Sequence, residues 1–306
     1  MNDKLILSGV TPYDFDLSVS IFSDGDRQIR KYEDGKFWQV ITIDGKLVLV
    51  TVKALGTVDH PKLSVELRSD HRISENDRGK ARKIVSTLLN LGFDLKPFYK
   101  HARNDKTLTG LIQRLRGLKS PTTPTVYEAL IDSIVEQQIS LAVAHVLETK
   151  LIKTFGQALK LKNEVYYAYP TARKLASASI EQLRGRGLSL RKAEYIKGVS
   201  KMITSGKLNL ESFKGYSDVQ KIIKELDGIR GVGIWTAELT VIRGMQKHEV
   251  IPADDLGLRR VISHYYFGDR KISSQEARRI AEKWGKWKGL AAFYLIMAEI
   301  LQTEGK

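Results

Sequence analysis

The chain of 306 residues contains no cysteine. Disulfides, iron–sulfur clusters and thiolate zinc sites are therefore excluded, and a reducing compartment is compatible. Histidine is sparse: residues 60, 71, 101, 145, 248 and 264 include no pair at metal-binding spacing, which reads as surface or packing use. Long apolar runs are missing too. The longest, "GLAAFYLIMA" at 289–298, is too short to span a bilayer, so no membrane partner is expected. "MNDKLILSGV" lacks a basic segment ahead of an apolar core, so no secretory signal is expected. Acidic side chains are the minority: 35 Asp and Glu face 50 Lys and Arg, a formal charge of +15. Such a field attracts polyanions, nucleic acid before acidic lipid.

What is present falls into two textures. Residues 1 to about 75 alternate with period two, and "DGKFWQVITI" and "DGKLVLVTVK" each open on Asp-Gly, at 34–35 and 44–45, the dipeptide favoured in tight hairpins. A meander is expected. After "SENDRGKARKIVSTLLNLG", with Ile84, Leu88, Leu89 and Leu91 at helical spacing, the pattern is almost wholly helical. The fold class is α+β: a β-rich N-terminal domain with a trailing helix over 1–95, then a helical core over 96–306. "VYEALIDSIVEQQISLAVAHVLETKLIKTF" reads as one long core helix, with a polar interruption at Glu136, Gln137 and Gln138 that either caps a turn or faces something polar. The run at 183–201 holds six basic residues and one acid, among them Arg186, Arg191 and Lys192. A charge run is usually a solvated helix face, but Gly185 and Gly187 precede this helix and add weight to a phosphate-facing loop.

The densest signal is "LDGIRGVGIWTAELTVIRG" at 226–244. Glycines at 231 and 233 permit a tight bend and close backbone approach. The amides of Gly231, Gly233 and Thr236 would then point outward at a helix N-terminus, an anion site suited to a DNA phosphate. A Rossmann loop is ruled out because no strand precedes it. A plain helical connection stays open at this point. Downstream, "VIPADDLGLRRVISHYY" places Asp254 and Asp255 at an apparent helix start, where either could be an N-cap.

With "EALIDSIVEQQISLAVAHVL", "LRGRGLSLRKAEYI", the glycine hairpin (226–243), the aspartate and "KWGKWKGLAAFYLIMAE" in that order, the sequence resembles the helix–hairpin–helix (HhH-GPD) DNA glycosylase superfamily, and within it the AlkA-like alkylated-base enzymes. The resemblance runs from about residue 120 to the C-terminus. It implies a helical core of two subdomains flanking a cleft, and hydrolysis of the bond between a damaged base, such as 3-methyladenine, and deoxyribose in duplex DNA. It puts the essential carboxylate at Asp255, not Asp254, where a helix N-terminus favours the ionised form. Trp235 occupies the position that carries a nucleophilic lysine in bifunctional relatives. An indole cannot be that nucleophile, so a monofunctional enzyme is implied.

Trp287 matches a second pocket aromatic, whereas core packing is as good a reading of Trp284. Leu239 and Leu256 stand where the AlkA-like pattern has tyrosines, and Arg230 where many relatives have proline. Gln138 matches the residue inserted into the gap left by the flipped nucleotide, with Gln137 the second choice. The backbone carbonyls of Asp227, Ile229 and Val232 fall where the family's hairpin holds a structural Na+ or K+. No cofactor is implied for catalysis. Lys247 reads as a solvated loop residue. A monomer is expected, cytoplasmic and nucleoid-associated in a prokaryote or nuclear in a eukaryote. Two alternatives remain: an oxidised-purine glycosylase/lyase and a non-catalytic DNA-binding module.

Overall fold

The computed structural model describes residues 2–303. Its first unit is an antiparallel sheet of β1 (Asn2–Ser8), β2 (Arg30–Glu33), β3 (Lys36–Ile43), β4 (Lys46–Ala54) and β5 (Lys62–Arg68), in the order β1-β5-β4-β3-β2. Both Asp-Gly pairs turn the chain as expected. Asp34, Gly35, Asp44 and Gly45 all have φ between 48° and 80°, the left-handed conformation that twists with the strands. Alternation sorts the side chains. Phe37, Ile41, Ile43, Val48, Val50 and Val52 share a core with α1 (Phe15–Val19) and α2 (Glu75–Leu88), while Val40, Leu47 and Leu49 face the other way. A capping box between Ser74 and Asp77 starts α2. The buried residues of this core end at Leu91, and those of the next begin at Leu95.

The helical part has two cores. One is discontinuous in sequence: α3 (Lys96–Ala102) and α4 (Lys106–Arg114) pack with α12 (Leu256–Tyr266), α13 (Ser274–Ala281) and α14 (Lys288–Thr303) around Phe98, Trp284, Tyr294 and Leu295. Trp284 is thus a core residue. The other is continuous, built from α5 (Val126–Glu136), α6 (Leu141–Phe155), α7 (Ala172–Ser177), α8 (Ile180–Arg184), α9 (Leu190–Thr204), α10 (Val219–Asp227) and α11 (Ile234–Met245).

One expectation is corrected. The long helix over 126–155 is broken into α5 and α6. Gln138 takes a left-handed φ of 56°, and the Ser140 hydroxyl then caps α6 by accepting from the Val143 amide. The mostly helical region after residue 95 also carries one short hairpin. β6 (Ala158–Leu161) and β7 (Glu164–Tyr167) form a hairpin whose Leu159 and Tyr166 cover Val40, Leu47 and Leu49 on the outer face of the sheet. An isolated two-stranded hairpin is marginal in water, and this one gains its buried face from the N-terminal unit.

A candidate DNA-glycosylase active site at the glycine hairpin

The hairpin joins α10 to α11. α10 starts at Asp218, whose carboxylate accepts from the Gln220 and Lys221 amides, and is amphipathic, burying Val219, Ile222, Ile223 and Leu226. The bend follows directly: the Ile229 amide donates to Leu226 O and the Val232 amide to Ile229 O, each at 2.9 Å. Gly231 has φ 90°, and a Cβ there would sit 2.1 Å from the Tyr195 ring, so conformation and space both demand glycine. At Gly233 a Cβ would meet nothing within 4 Å.

Helices α5, α6, α9, α10 and α12 all receive a side-chain cap; α11 begins at exposed Gly233 with none. Its first-turn donors therefore lack a local partner, which is the arrangement that binds an anion. Thr236 is 2% exposed, and its hydroxyl oxygen accepts from Gln137 Nε2 at 2.9 Å.

Gln137 also donates to Gly231 O at 2.8 Å, and the preceding Glu136 takes Arg243 Nη1 of α11 at 2.7 Å. The polar interruption between α5 and α6 thus locks the hairpin to α5. Gln137 is committed to the fold and cannot also serve as an inserted wedge. Gln138 is exposed, sits on the strained bend and makes no hydrogen bond among the described residues. A non-glycine residue held at positive φ costs about 1–3 kcal/mol, a strain typical of functional positions.

Asp255 is the N-cap of α12. Its Oδ1 accepts from the Leu258 amide at 2.8 Å, and its Oδ2 faces Trp235 Nε1 at 3.3 Å. The second contact is long for a hydrogen bond, so it orients more than it binds. It also joins the two helical cores, since Trp235 lies on α11 and Asp255 opens α12. Both groups are half-buried. Asp254 is occupied differently, pairing with Arg278 Nη2 at 3.2 Å. A carboxylate steered by an amide on one oxygen and an indole on the other, at the rim between two cores, can stabilise a nearby developing cation or orient a water.

The remaining expected residues divide. Leu239 lies one turn beyond Trp235 and is buried, whereas Leu256, directly after Asp255, is 74% exposed and encloses nothing. Trp287 is half-buried, packed on Phe93 and Phe98 with the Lys286 ammonium 5.0 Å over its ring; no ring contact joins it to Trp235 among the described residues. Arg186 and Arg191 are exposed, and Arg230 reaches across to Glu194 at 3.0 Å while staying open to solvent. Lys192 is corrected. It is 8% exposed, and its ammonium donates to Val135 O at the end of α5 at 2.8 Å, with burial lowering its pKa. It secures a helix end and does not face a ligand. Lys247, expected to be solvated, donates from Nζ to Tyr216 O at 2.6 Å.

Sequence reasoning missed Glu238 and Arg278, which contact each other 40 residues apart. The available signal was one carboxylate, the single charge in the stretch "TAELTVI", since a buried acid needs a cationic partner. Among the described residues, no cluster of His, Asp or Glu could hold a metal ion.

The chain is 26% identical to a Bacillus subtilis DNA-3-methyladenine glycosylase over 299 residues, covering 96% of this chain and 97% of that protein. Among solved structures, the Archaeoglobus fulgidus 3-methyladenine DNA-glycosylase superposes with a TM-score of 0.83 at 28% identity, covering 95% of this chain and 97% of that one. The Clostridium acetobutylicum 8-oxoguanine glycosylase/lyase, in complex with duplex DNA, gives 0.77 at 20% identity over 99% and 98%, a likeness of fold alone. The family model for HhH-GPD superfamily base excision DNA repair proteins matches residues 131–286, which contain the hairpin, Trp235 and Asp255. The chain belongs to that superfamily.

Proposed function

We propose that the chain is a monofunctional DNA glycosylase of base excision repair that releases alkylated bases such as 3-methyladenine from duplex DNA. One observation carries the monofunctional reading: the group facing the carboxylate of Asp255 is the indole of Trp235, at 3.3 Å, and not an amine. The relatives named for 3-methyladenine support the lesion class.

The target nucleotide must leave the stack, at a cost of a few kcal/mol, before its C1′ can be reached. Gln138 fills the vacated space, a role supported by its exposure on the α5–α6 bend. The hairpin amides of Gly231 and Gly233, with Arg186, Arg191 and Arg230, hold the phosphates. As the C1′–N bond breaks, its electron pair departs with the base and positive charge grows on the sugar. Asp255 stabilises that charge, water bonds to C1′, and the water's proton passes to the carboxylate or to solvent. The face of Trp235 attracts a cationic base by about 0.5–2 kcal/mol.

Catalysis needs no cofactor in this scheme. The carbonyls of Asp227, Ile229 and Val232 would hold a structural Na+ or K+; the Ile229 oxygen uses one lone pair on the Val232 amide and keeps the other. The enzyme acts as a monomer on damaged duplex, at the nucleoid of a prokaryote or in a eukaryotic nucleus. The test is single-turnover release of 3-methyladenine from methylated duplex, run beside borohydride trapping. Free base with no covalent protein–DNA adduct is expected; a trapped adduct would overturn the monofunctional reading.

A further inference from the structure

Glu238 is a carboxylate 4% exposed on α11, three residues beyond Trp235. Arg278 on α13 grips it with both terminal nitrogens: Nη1 donates to Oε1 at 2.7 Å and Nη2 to Oε2 at 3.2 Å. The same two nitrogens each make a second bond, to the segment that leads to Asp255. Nη1 donates to Ile251 O at 3.1 Å, and Nη2 to Asp254 Oδ2 at 3.2 Å. Between those points the segment folds on itself, with the Ala253 amide on Ile251 O at 2.8 Å and the Asp255 amide on Pro252 O at 2.9 Å. One rigid fork therefore ties together the hairpin helix, α13 and both flanks of residues 251–255.

We propose that Glu238 and Arg278 are a positioning pair for Asp255, setting its carboxylate against Trp235 and the C1′ of the flipped nucleotide. The inference rests on the glycosylase reading. It concerns geometry because a buried ion pair is weak evidence for stability, whereas a planar guanidinium fixes the mutual register of everything it contacts. The two anchors belong to different cores, α11 to one and α13 to the other, so apolar packing within either core does not set the distance between Trp235 and Asp255. Burial pushes the Glu238 pKa up, and the hydrogen bonds and charge of Arg278 oppose that rise.

Arg278→Lys keeps a cation beside Glu238 but loses the fork; the double variant Glu238→Met/Arg278→Met replaces the pair with apolar side chains. Each is compared with the wild-type protein for single-turnover release of 3-methyladenine. Each is also tested for affinity toward two duplexes, one with a cationic pyrrolidine abasic analogue and one with its neutral tetrahydrofuran counterpart. Preference for the cationic analogue reports whether the Asp255 carboxylate is in place, independently of turnover. In both variants the preference should fall about tenfold and the release rate on the order of 100-fold, since displacement of a catalytic group by about 1 Å costs that much. Affinity for the neutral duplex should stay within about twofold, because phosphate contacts are untouched.

Wild-type preference and rate in either folded variant would overturn the pairing role, and so would a lowered melting temperature with the preference intact. If the wild-type protein itself neither releases base nor prefers the cationic analogue, the glycosylase reading fails, and the positioning role falls with it.

Discussion

The indole N–H of Trp235 faces Oδ2 of Asp255 from 3.3 Å, while Oδ1 of the same carboxylate caps α12 through the Leu258 amide at 2.8 Å. One oxygen serves the fold and the other is presented toward the hairpin. Asp255→Asn should therefore separate structure from chemistry. Asparagine caps a helix as well as aspartate, so the melting temperature and DNA affinity should hardly move. Loss of the negative charge should cut single-turnover base release by at least about 100-fold. Trp235→Phe keeps an aromatic face but not the donor, and should slow release by up to about tenfold, since the 3.3 Å contact orients the carboxylate more than it binds it.

Glycines 231 and 233 should respond differently to alanine. At 231 the new Cβ collides with the Tyr195 ring under a φ of 90°, so a loss of about 2 kcal/mol or more in unfolding free energy is expected. At 233 the space is open and φ is −92°, so the loss should stay below about 1 kcal/mol. Denaturant titration of the two variants side by side checks the contrast.

Gln138→Gly should relieve the left-handed strain on the α5–α6 bend and raise stability by up to about 1 kcal/mol. The same change removes the side chain assigned to fill the helix gap. Release should then slow more for a lesion in a matched pair than for one opposite a mismatched base, whose extrusion costs less. Equal slowing on both substrates would count against the wedge assignment.

Arg191 and Lys192 are sequence neighbours with opposite fates. Arg191→Ala should reduce the slope of log affinity against log salt by about 0.9, the value for one phosphate contact. Lys192→Met should leave that slope unchanged and lower the melting temperature instead, because Val135 O loses its donor. Affinity measured across a salt series separates the two.

His248 links stability to pH. It is buried with neither ring nitrogen hydrogen-bonded among the described residues, and burial lowers its pKa from 6.5 to about 4. Between those values the unfolded chain binds the proton and the folded one does not. This contribution is fully present above pH 6.5 and is lost as pH falls toward 4, by about 3 kcal/mol in all. Glu128 works the other way: burial raises its pKa from 4.5 to about 7, so its contribution is present below 4.5 and is lost as pH rises through 7. His248→Phe should flatten the acid limb of stability against pH, and Glu128→Gln the limb between 4.5 and 7, both measured by denaturant unfolding across that range.

Much of the site was legible because some positions admit few residue types. Asp-Gly at 34–35 and 44–45 announces its turns because those turns need two positive φ angles in succession. Gly231 likewise marks a bend that no other residue can make against Tyr195. Asp255 could be placed at a helix start because a carboxylate there satisfies an orphan amide. The break at 137–140 was marked only by the polar Glu136, Gln137 and Gln138 within a helical pattern, and one left-handed glutamine and a serine cap outweigh that periodicity.

The sequence by itself determined the basic field, the sheet turns and the glycine bend, since each follows from local chemistry or backbone sterics. Only the tertiary structure decided which side chains are spent on the fold. It committed Gln137, Thr236 and Lys192 to holding the hairpin and α5, left Gln138 exposed, assigned Asp254 to Arg278 and brought Asp255 to Trp235. Those choices depend on which polar groups burial leaves to satisfy one another across long sequence separations, and no local pattern encodes that.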